Sequence, residues 1–300
     1  MRILLTGGSS FTGLWFAREL KARGHELTLT LRRGRGEYEG IRGRRVNLLE
    51  ALGHCVYGTR FGDPTFLELL QGGWDLLALH GAEVTNYRST NLDVAAALAS
   101  NVHSAGEVFL RDIPRVIVTG SLFEGGEGAG SDGLPDINPY GLSKRLTSEV
   151  LKFYARRSGV RFQKFVIPNP FGPFESERYT GYVIESWRRG TVPECHTPGW
   201  VRDNIPVQLL ARAYAWCCEE GPDHFGPSGY VERMGEFVAR MARELSPRLG
   251  VACPFTCLGE PALGQPAVRI NVDSCDFLPW SESRWWDELA DFYLSQTSES

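Results

Sequence analysis

No apolar run in these 300 residues reaches the ~20 needed to cross a bilayer, so no transmembrane helix is expected. The apolar start Met1 to Leu5 is too short for a signal peptide and meets glycines at once. Neither sign of charge dominates: 32 Lys and Arg stand against 36 Asp and Glu, a net −4. That leaves no global basic footprint, and nucleic acid is not an expected partner. The Cys-x-x-Cys spacing of zinc and redox sites is absent; Cys217-Cys218 and Cys253…Cys257 do not supply it. No metal is expected, and the seven cysteines read as reduced thiols of a cytoplasmic protein. What is present is globular: 42% hydrophobic residues, 23% charged, and length for one large domain or two small ones.

The first 31 residues read as one βαβ unit. Ile3-Leu-Leu5 is a short buried strand that ends at Thr6-Gly7-Gly8. From Phe11 the pattern is helical, with Leu14, Ala17 and Leu20 on one face and Gly24 as the stop. Glu26 to Leu31 then alternates as a second strand. The intervening turn, Gly7-Gly-Ser-Ser-Phe-Thr-Gly13, has glycines where a backbone must approach a pyrophosphate seated on the helix N-terminus. Ser10 stands where the middle glycine of such a turn is usual. Between a first strand and a first helix, this turn predicts a dinucleotide.

The second strand ends in Arg32, Arg33 and Arg35 with no acid for a ribose 2′-hydroxyl. Guanidinium forks suit a 2′-phosphate, so NADP(H) is favoured and NAD(H) remains possible. Arg42, Arg44 and Arg45 are expected to be solvated loop residues. Further strands are expected at Cys55–Tyr57, Trp74–Leu79, Arg115–Val118 and Arg161–Ile167, with helices between them. The fourth strand runs out at His80-Gly81-Ala82, small enough for a backbone to pass a cofactor ribose. Asn91 is expected to open a helix to His103.

Tyr140-Gly-Leu-Ser-Lys144 places a phenol and an ammonium about one turn apart on one helix face. A cation beside a phenol favours its ionised form, which fits the pair for acid–base work. Ser121, just past the fifth strand, lies where ligands bind in open α/β sheets, beyond the strand C-termini. It is the candidate hydroxyl partner of Tyr140.

Together these motifs resemble the extended short-chain dehydrogenase/reductases, the group of nucleotide-sugar epimerases, dehydratases and 4-keto reductases. Thr6 to Gly13 is similar to the cofactor loop, Pro139 to Lys144 to the active-site helix, and Leu79 to Ala82 to a small-residue strand end. Asn91 falls where an asparagine supports the sheet. Ile167 to Pro173 resembles the segment whose asparagine, here Asn169, meets the sugar nucleotide. Trp200 to Ile205 resembles the segment whose arginine, here Arg202, meets substrate phosphate, and Arg269 falls where a second such arginine often does. The strand-five hydroxyl aligns as Ser121 with epimerases and as Thr119 with deoxysugar reductases; Ser121 is the choice. No acid directly follows it, unlike in the dehydratases.

The resemblance implies a Rossmann-type doubly wound parallel sheet with a smaller, interleaved C-terminal region. Residues 1–166 form the NAD(P)-binding domain with the catalytic helix, and 167–300 mainly the substrate-binding region. It implies Ser121, Tyr140 and Lys144 as catalytic residues. Gly7, Ser10, Phe11, Thr12, Gly13, Arg32, Arg33, Gly81 and Ala82 hold the cofactor, with Tyr140 and Lys144. Ser121, Asn169, Arg202 and Arg269 bind a nucleotide sugar. The expected activity is NADPH-dependent reduction of a nucleotide-linked 4-keto-(6-deoxy)hexose. Its alternatives are 4-epimerisation with a retained cofactor, and cofactor sensing without turnover. A homodimer through helices near 92–103 and 140–157 is expected by analogy.

Overall fold

A computed structural model describes residues 1–83, 89–176, 178–259 and 266–296. In chain order the strands are β1 (Arg2–Thr6), β2 (Glu26–Leu31), β3 (His54–Tyr57), β4 (Leu76–Leu79), β5 (Arg115–Ser121), β6 (Ala129–Gly130), β7 (Arg161–Ile167), β8 (Asn169–Phe171), β9 (Glu194–Cys195), β10 (Val201–Pro206), β11 (His224–Phe225), β12 (Tyr230–Arg233), β13 (Thr256–Cys257) and β14 (Val268–Ile270). The helices are α1 (Phe11–Ala22), α2 (Gly40–Glu50), α3 (Pro64–Leu69), α4 (Val94–Asn101), α5 (Ala105–Val108), α6 (Pro139–Arg157), α7 (Tyr179–Arg188), α8 (Val207–Glu219), α9 (Met234–Leu249) and α10 (Glu282–Ser295).

A 7-stranded sheet runs β11-β7-β5-β4-β1-β2-β3, and every pairing in it is parallel. This is the doubly wound Rossmann order, with the reversal between β1 and β4. Parallel strands are covered on both faces, so they read as apolar runs. Leu4, Leu77, Val116 and Val118 pack with Phe66, Leu151 and Ala155 in one core cluster. Phe16 stacks on Tyr214 with centroids 3.9 Å apart and meets Phe165 edge-on.

The chain divides into two compact units that interleave in sequence. The first comprises Met1–Glu127, Gly133–Ile167 and Ala211–Gly226; the second comprises Gly128–Asp132, Pro168–Leu210 and Pro227–Ser300. The second unit has a 5-stranded sheet, in which β10 pairs with β12, β14 and β8. Phe171, Phe237, Trp285 and Trp286 form its aromatic core. Among the described residues no helix is long and apolar enough to cross a membrane, and no His/Cys/Asp/Glu group is arranged to hold a metal ion.

Two local expectations need correction. Residues 40–50 form helix α2, and Arg45 is buried on it, donating to the Ser9 carbonyl at 3.4 Å; it is not a solvated loop residue. The helix expected from Asn91 starts at Val94, because Asp93 caps it by accepting from the Ala96 N–H. Asn91 is exposed. The asparagine that braces the strand ends is Asn101, whose Oδ1 accepts the Glu83 N–H at 2.7 Å and whose Nδ2 donates to Thr147 Oγ1 at 3.3 Å.

Candidate active site

The turn between β1 and α1 is built around backbone contacts that allow no side chain. Gly7 has φ +74, and a Cβ on it would lie 2.5 Å from the Gly81 nitrogen. A Cβ on Gly13 would lie 2.3 Å from the Gly7 carbonyl oxygen. Thr6 Oγ1 accepts the Gly81 N–H at 2.8 Å, which ties the turn to the end of β4. Ser10 is the N-cap of α1, and its Oγ accepts from the Gly13 N–H at 3.0 Å. Phe11 is buried and Thr12 points into the same corner. A glycine cradle at the N-terminus of a 12-residue helix fits a dinucleotide pyrophosphate. Gly81, at the end of β4, sits against this turn, and Ala82 follows it in the chain.

At the end of β2, Arg32 and Arg33 are exposed. Arg32 pairs with Glu83, brought in from beyond β4. The acid that the second strand lacks therefore arrives from another segment. Arg35 turns away to Glu50 on α2 at 2.6 Å. Arg42 reaches this corner from α2; its pKa is lowered, first by burial and then by Arg33 and Arg32, with Tyr38 opposing. Like charges held together in this way favour an anion between them.

The candidate proton-transfer residues lie at the end of β5. The Ser121 N–H donates to Glu124 Oε1 at 2.8 Å, and Ser121 Oγ accepts from the Phe123 N–H at 3.2 Å. The chain returns so that the Ile137 N–H bonds the Phe123 carbonyl at 2.9 Å. Asn138 caps α6 by accepting from the Gly141 N–H, and Pro139 opens the helix. A Cβ on Gly141 would come within 2.0 Å of the Phe123 oxygen, so only glycine lets the helix start seat this closely. Tyr140 thereby lies beside the strand tip, half-buried, its ring 6.1 Å from that of Phe123.

Lys144 is buried, and its Nζ donates to the Thr119 carbonyl at 2.5 Å. Burial lowers its pKa; Glu124 opposes this and Lys164 adds to it. The Thr119 hydroxyl lies 3.1 Å from His80 Nδ1. Glu124 is fully buried, and Lys164 donates to it and to Glu127, each at 2.6 Å. Desolvation raises the Glu124 pKa, with Lys164 and Lys144 opposing. His224 Nε2 lies 2.8 Å from Glu127, which extends this ionic chain to the edge strand β11.

In the second unit, Arg202 pairs in register with Arg269 across β10 and β14, and Asn169 with Asn204 across β8 and β10. Registered parallel neighbours share a face, as do positions two apart, so Asn169, Arg202 and Arg269 lie on one side of this sheet. Arg202 stacks over Trp200 at 4.5 Å, and burial lowers its pKa to about 10. Arg269 is buried, 3.7 Å from Asp132. Buried Asp203, between them in sequence, accepts from the Gly229 and Asn271 N–H groups and fixes the strand. Trp187 is core, donating to the Pro254 carbonyl.

Four residues escaped the reading of the sequence. His80 showed only as a polar residue ending an apolar strand. Asn101 showed as a lone amide at the end of an alanine-rich helix. Lys164 and Glu127, the partners of Glu124, left no local signal.

A comparison with curated proteins gave no match. Among solved structures, the chain is similar to UDP-N-acetylglucosamine 4-epimerase from Methanobrevibacter ruminantium M1, with a TM-score of 0.78, 18% identity and 98% of each chain covered. It is also similar to UDP-glucuronic acid 4-epimerase from Bacillus cereus, solved with UDP-glucuronic acid and NAD, with a TM-score of 0.76, 15% identity and coverage of 99% and 100%. The dTDP-glucose 4,6-dehydratase DesIV from Streptomyces venezuelae, solved with NAD and TYD, has a TM-score of 0.71, 18% identity and coverage of 98% and 97%. At these identities the likeness establishes the fold. The sequence model of the NAD dependent epimerase/dehydratase family matches residues 3–231, and by that match the chain belongs to this family of extended short-chain dehydrogenase/reductases.

Proposed function

We propose that the chain is an NAD(P)-dependent oxidoreductase of nucleotide-linked sugars that reduces a 4-keto-hexose with NADPH. The observation that carries this is the seating of the α6 start against the Phe123 carbonyl, which brings Tyr140 to the strand tip bearing Ser121. A bound nicotinamide dinucleotide supplies the hydride. Ser121 and Tyr140 hydrogen-bond the sugar 4-oxygen, and Tyr140 gives that oxygen its proton as negative charge develops there. Lys144, as an ammonium, stabilises the phenolate that results. Thr119 is the weaker candidate, because His80 engages its hydroxyl. Glu124, bonded to Lys164 and to the Ser121 N–H, is engaged in an ion pair and is not presented as a base for dehydration. Gly7, Ser10, Phe11, Thr12, Gly13, Gly81 and Ala82 hold the dinucleotide, with Arg32 and Arg33 at its 2′-phosphate. Asn169, Arg202 and Arg269 bind the nucleoside diphosphate, whose oxygens suit bidentate arginine. A homodimer through α4 and α6 accompanies this reading, supported by the exposed Phe153 on α6.

A second reading is 4-epimerisation with retained NAD. The Glu83 carboxylate paired with Arg32 favours it, because it offers an acceptor for a ribose 2′-hydroxyl. Mass spectrometry of the purified protein, with turnover of a nucleotide-sugar panel, tests both. Turnover of a 4-keto sugar that requires added NADPH supports reduction. Co-purified NAD with turnover needing no added cofactor supports epimerisation. Cofactor binding with no turnover on the panel would overturn both and leave a sensor.

A further inference from the structure

His80 ends β4 at a point where three hydroxyls from two other segments converge on one imidazole. Its Nε2 lies 2.8 Å from Ser10 Oγ and 3.1 Å from Thr12 Oγ1, both on the turn that opens α1. Its Nδ1 lies 3.1 Å from Thr119 Oγ1 on β5. The edge of Phe16 packs against the ring, with centroids 5.0 Å apart. Burial, and then the Lys144 charge, push its pKa down to about 3, so the ring is neutral and carries one N–H.

One tautomer satisfies these contacts: Ser10 Oγ accepts the Gly13 N–H and gives its own O–H to Nε2. Nδ1 then carries the hydrogen and donates it to Thr119. The carbonyl of the same Thr119 receives the Lys144 ammonium, and Ser121 follows two residues on. One path of hydrogen bonds thus runs from the glycine-rich turn to the acid–base residues. It accounts for two oddities of the sequence together: a serine in place of a glycine at position 10, and a histidine at the end of an apolar strand.

We infer that His80 is a positioning residue that ties the dinucleotide-binding turn to the strand carrying Ser121 and the Lys144 anchor, so that cofactor affinity depends jointly on Ser10 and Thr119; this rests on the dinucleotide reading of the site. A double-mutant cycle with Ser10→Ala and Thr119→Val tests it. The measured quantities are NADH and NADPH affinity by fluorescence titration and the thermal unfolding midpoint. The lost cap at Gly13 cancels in the cycle. Each single change should weaken the preferred dinucleotide by roughly three- to tenfold, the scale of one hydrogen bond. The double variant should fall short of the product of the singles by at least ~threefold. In a His80→Leu background the coupling should vanish, and the two changes should multiply to within about twofold. Singles that multiply with His80 present would overturn the inference, as would lower unfolding midpoints with unmoved affinities, which mark a merely structural role. A native protein that binds neither NADH nor NADPH would overturn the dinucleotide reading and the inference with it. Binding without coupling overturns the inference alone.

Discussion

Gly141 lies so close to Phe123 that a Cβ on it would stand 2.0 Å from the Phe123 carbonyl oxygen. This contact joins the start of α6 to the end of β5 and sets where the phenol beside it falls. Gly141→Ala should therefore push the helix start off the strand tip. Overpacking of this kind costs about 1–3 kcal/mol. The unfolding midpoint should drop by several degrees, and turnover should fall at least ~tenfold as Tyr140 is displaced. Differential scanning calorimetry with a turnover assay checks both.

Glu127 makes a prediction about pH. Burial works to raise its pKa, but His224 and Lys164 overcome it and hold the carboxyl at about 2, below the usual 4.5. A depressed carboxylate pKa contributes stability above about 4.5 that is lost as pH falls toward about 2. Glu127→Gln should cost ~2 kcal/mol at pH 7, a figure discounted for the solvent that reaches the His224 end. The gap to the native protein should close as pH falls from 4.5 to 2. Chemical denaturation across that range measures it, and a gap that widens on acidification would contradict the sign.

Arg33 is expected to read the cofactor 2′-phosphate. Charge-assisted hydrogen bonds are worth about 1.5–3 kcal/mol, so Arg33→Ser should weaken NADPH about 10- to 100-fold and leave NADH almost unchanged. Fluorescence titration of both cofactors checks this. Equal losses for the two would remove the case for a phosphate at this corner.

Local patterns carried much of the fold into view. The β1–turn–α1 unit and the Tyr140/Lys144 helix follow from apolar period, glycine placement and caps. What stayed hidden depends on pairing between distant segments. Nothing near Glu124 announces that Lys164 on β7 and Glu127 will bury it in an ionic chain. Glu83 meets Arg32 only because β4 and β2 flank β1. Asn91 and Asn101 are both asparagines beside an alanine-rich stretch, and only the capping by Asp93 and the bond to the Glu83 N–H distinguish them. The shared face of Asn169, Arg202 and Arg269 required strand register, which a single sequence does not contain.

Tyr140→Phe tests the central claim most directly. It removes one oxygen and keeps the ring against Phe123. With the native protein's own nucleotide-sugar substrate and cofactor at saturation, turnover should fall at least ~10²-fold, the usual scale for a positioned acid–base group, with cofactor affinity within about threefold of native. Turnover within about twofold of native would contradict Tyr140 as the proton donor, and with it the chemistry proposed for this site.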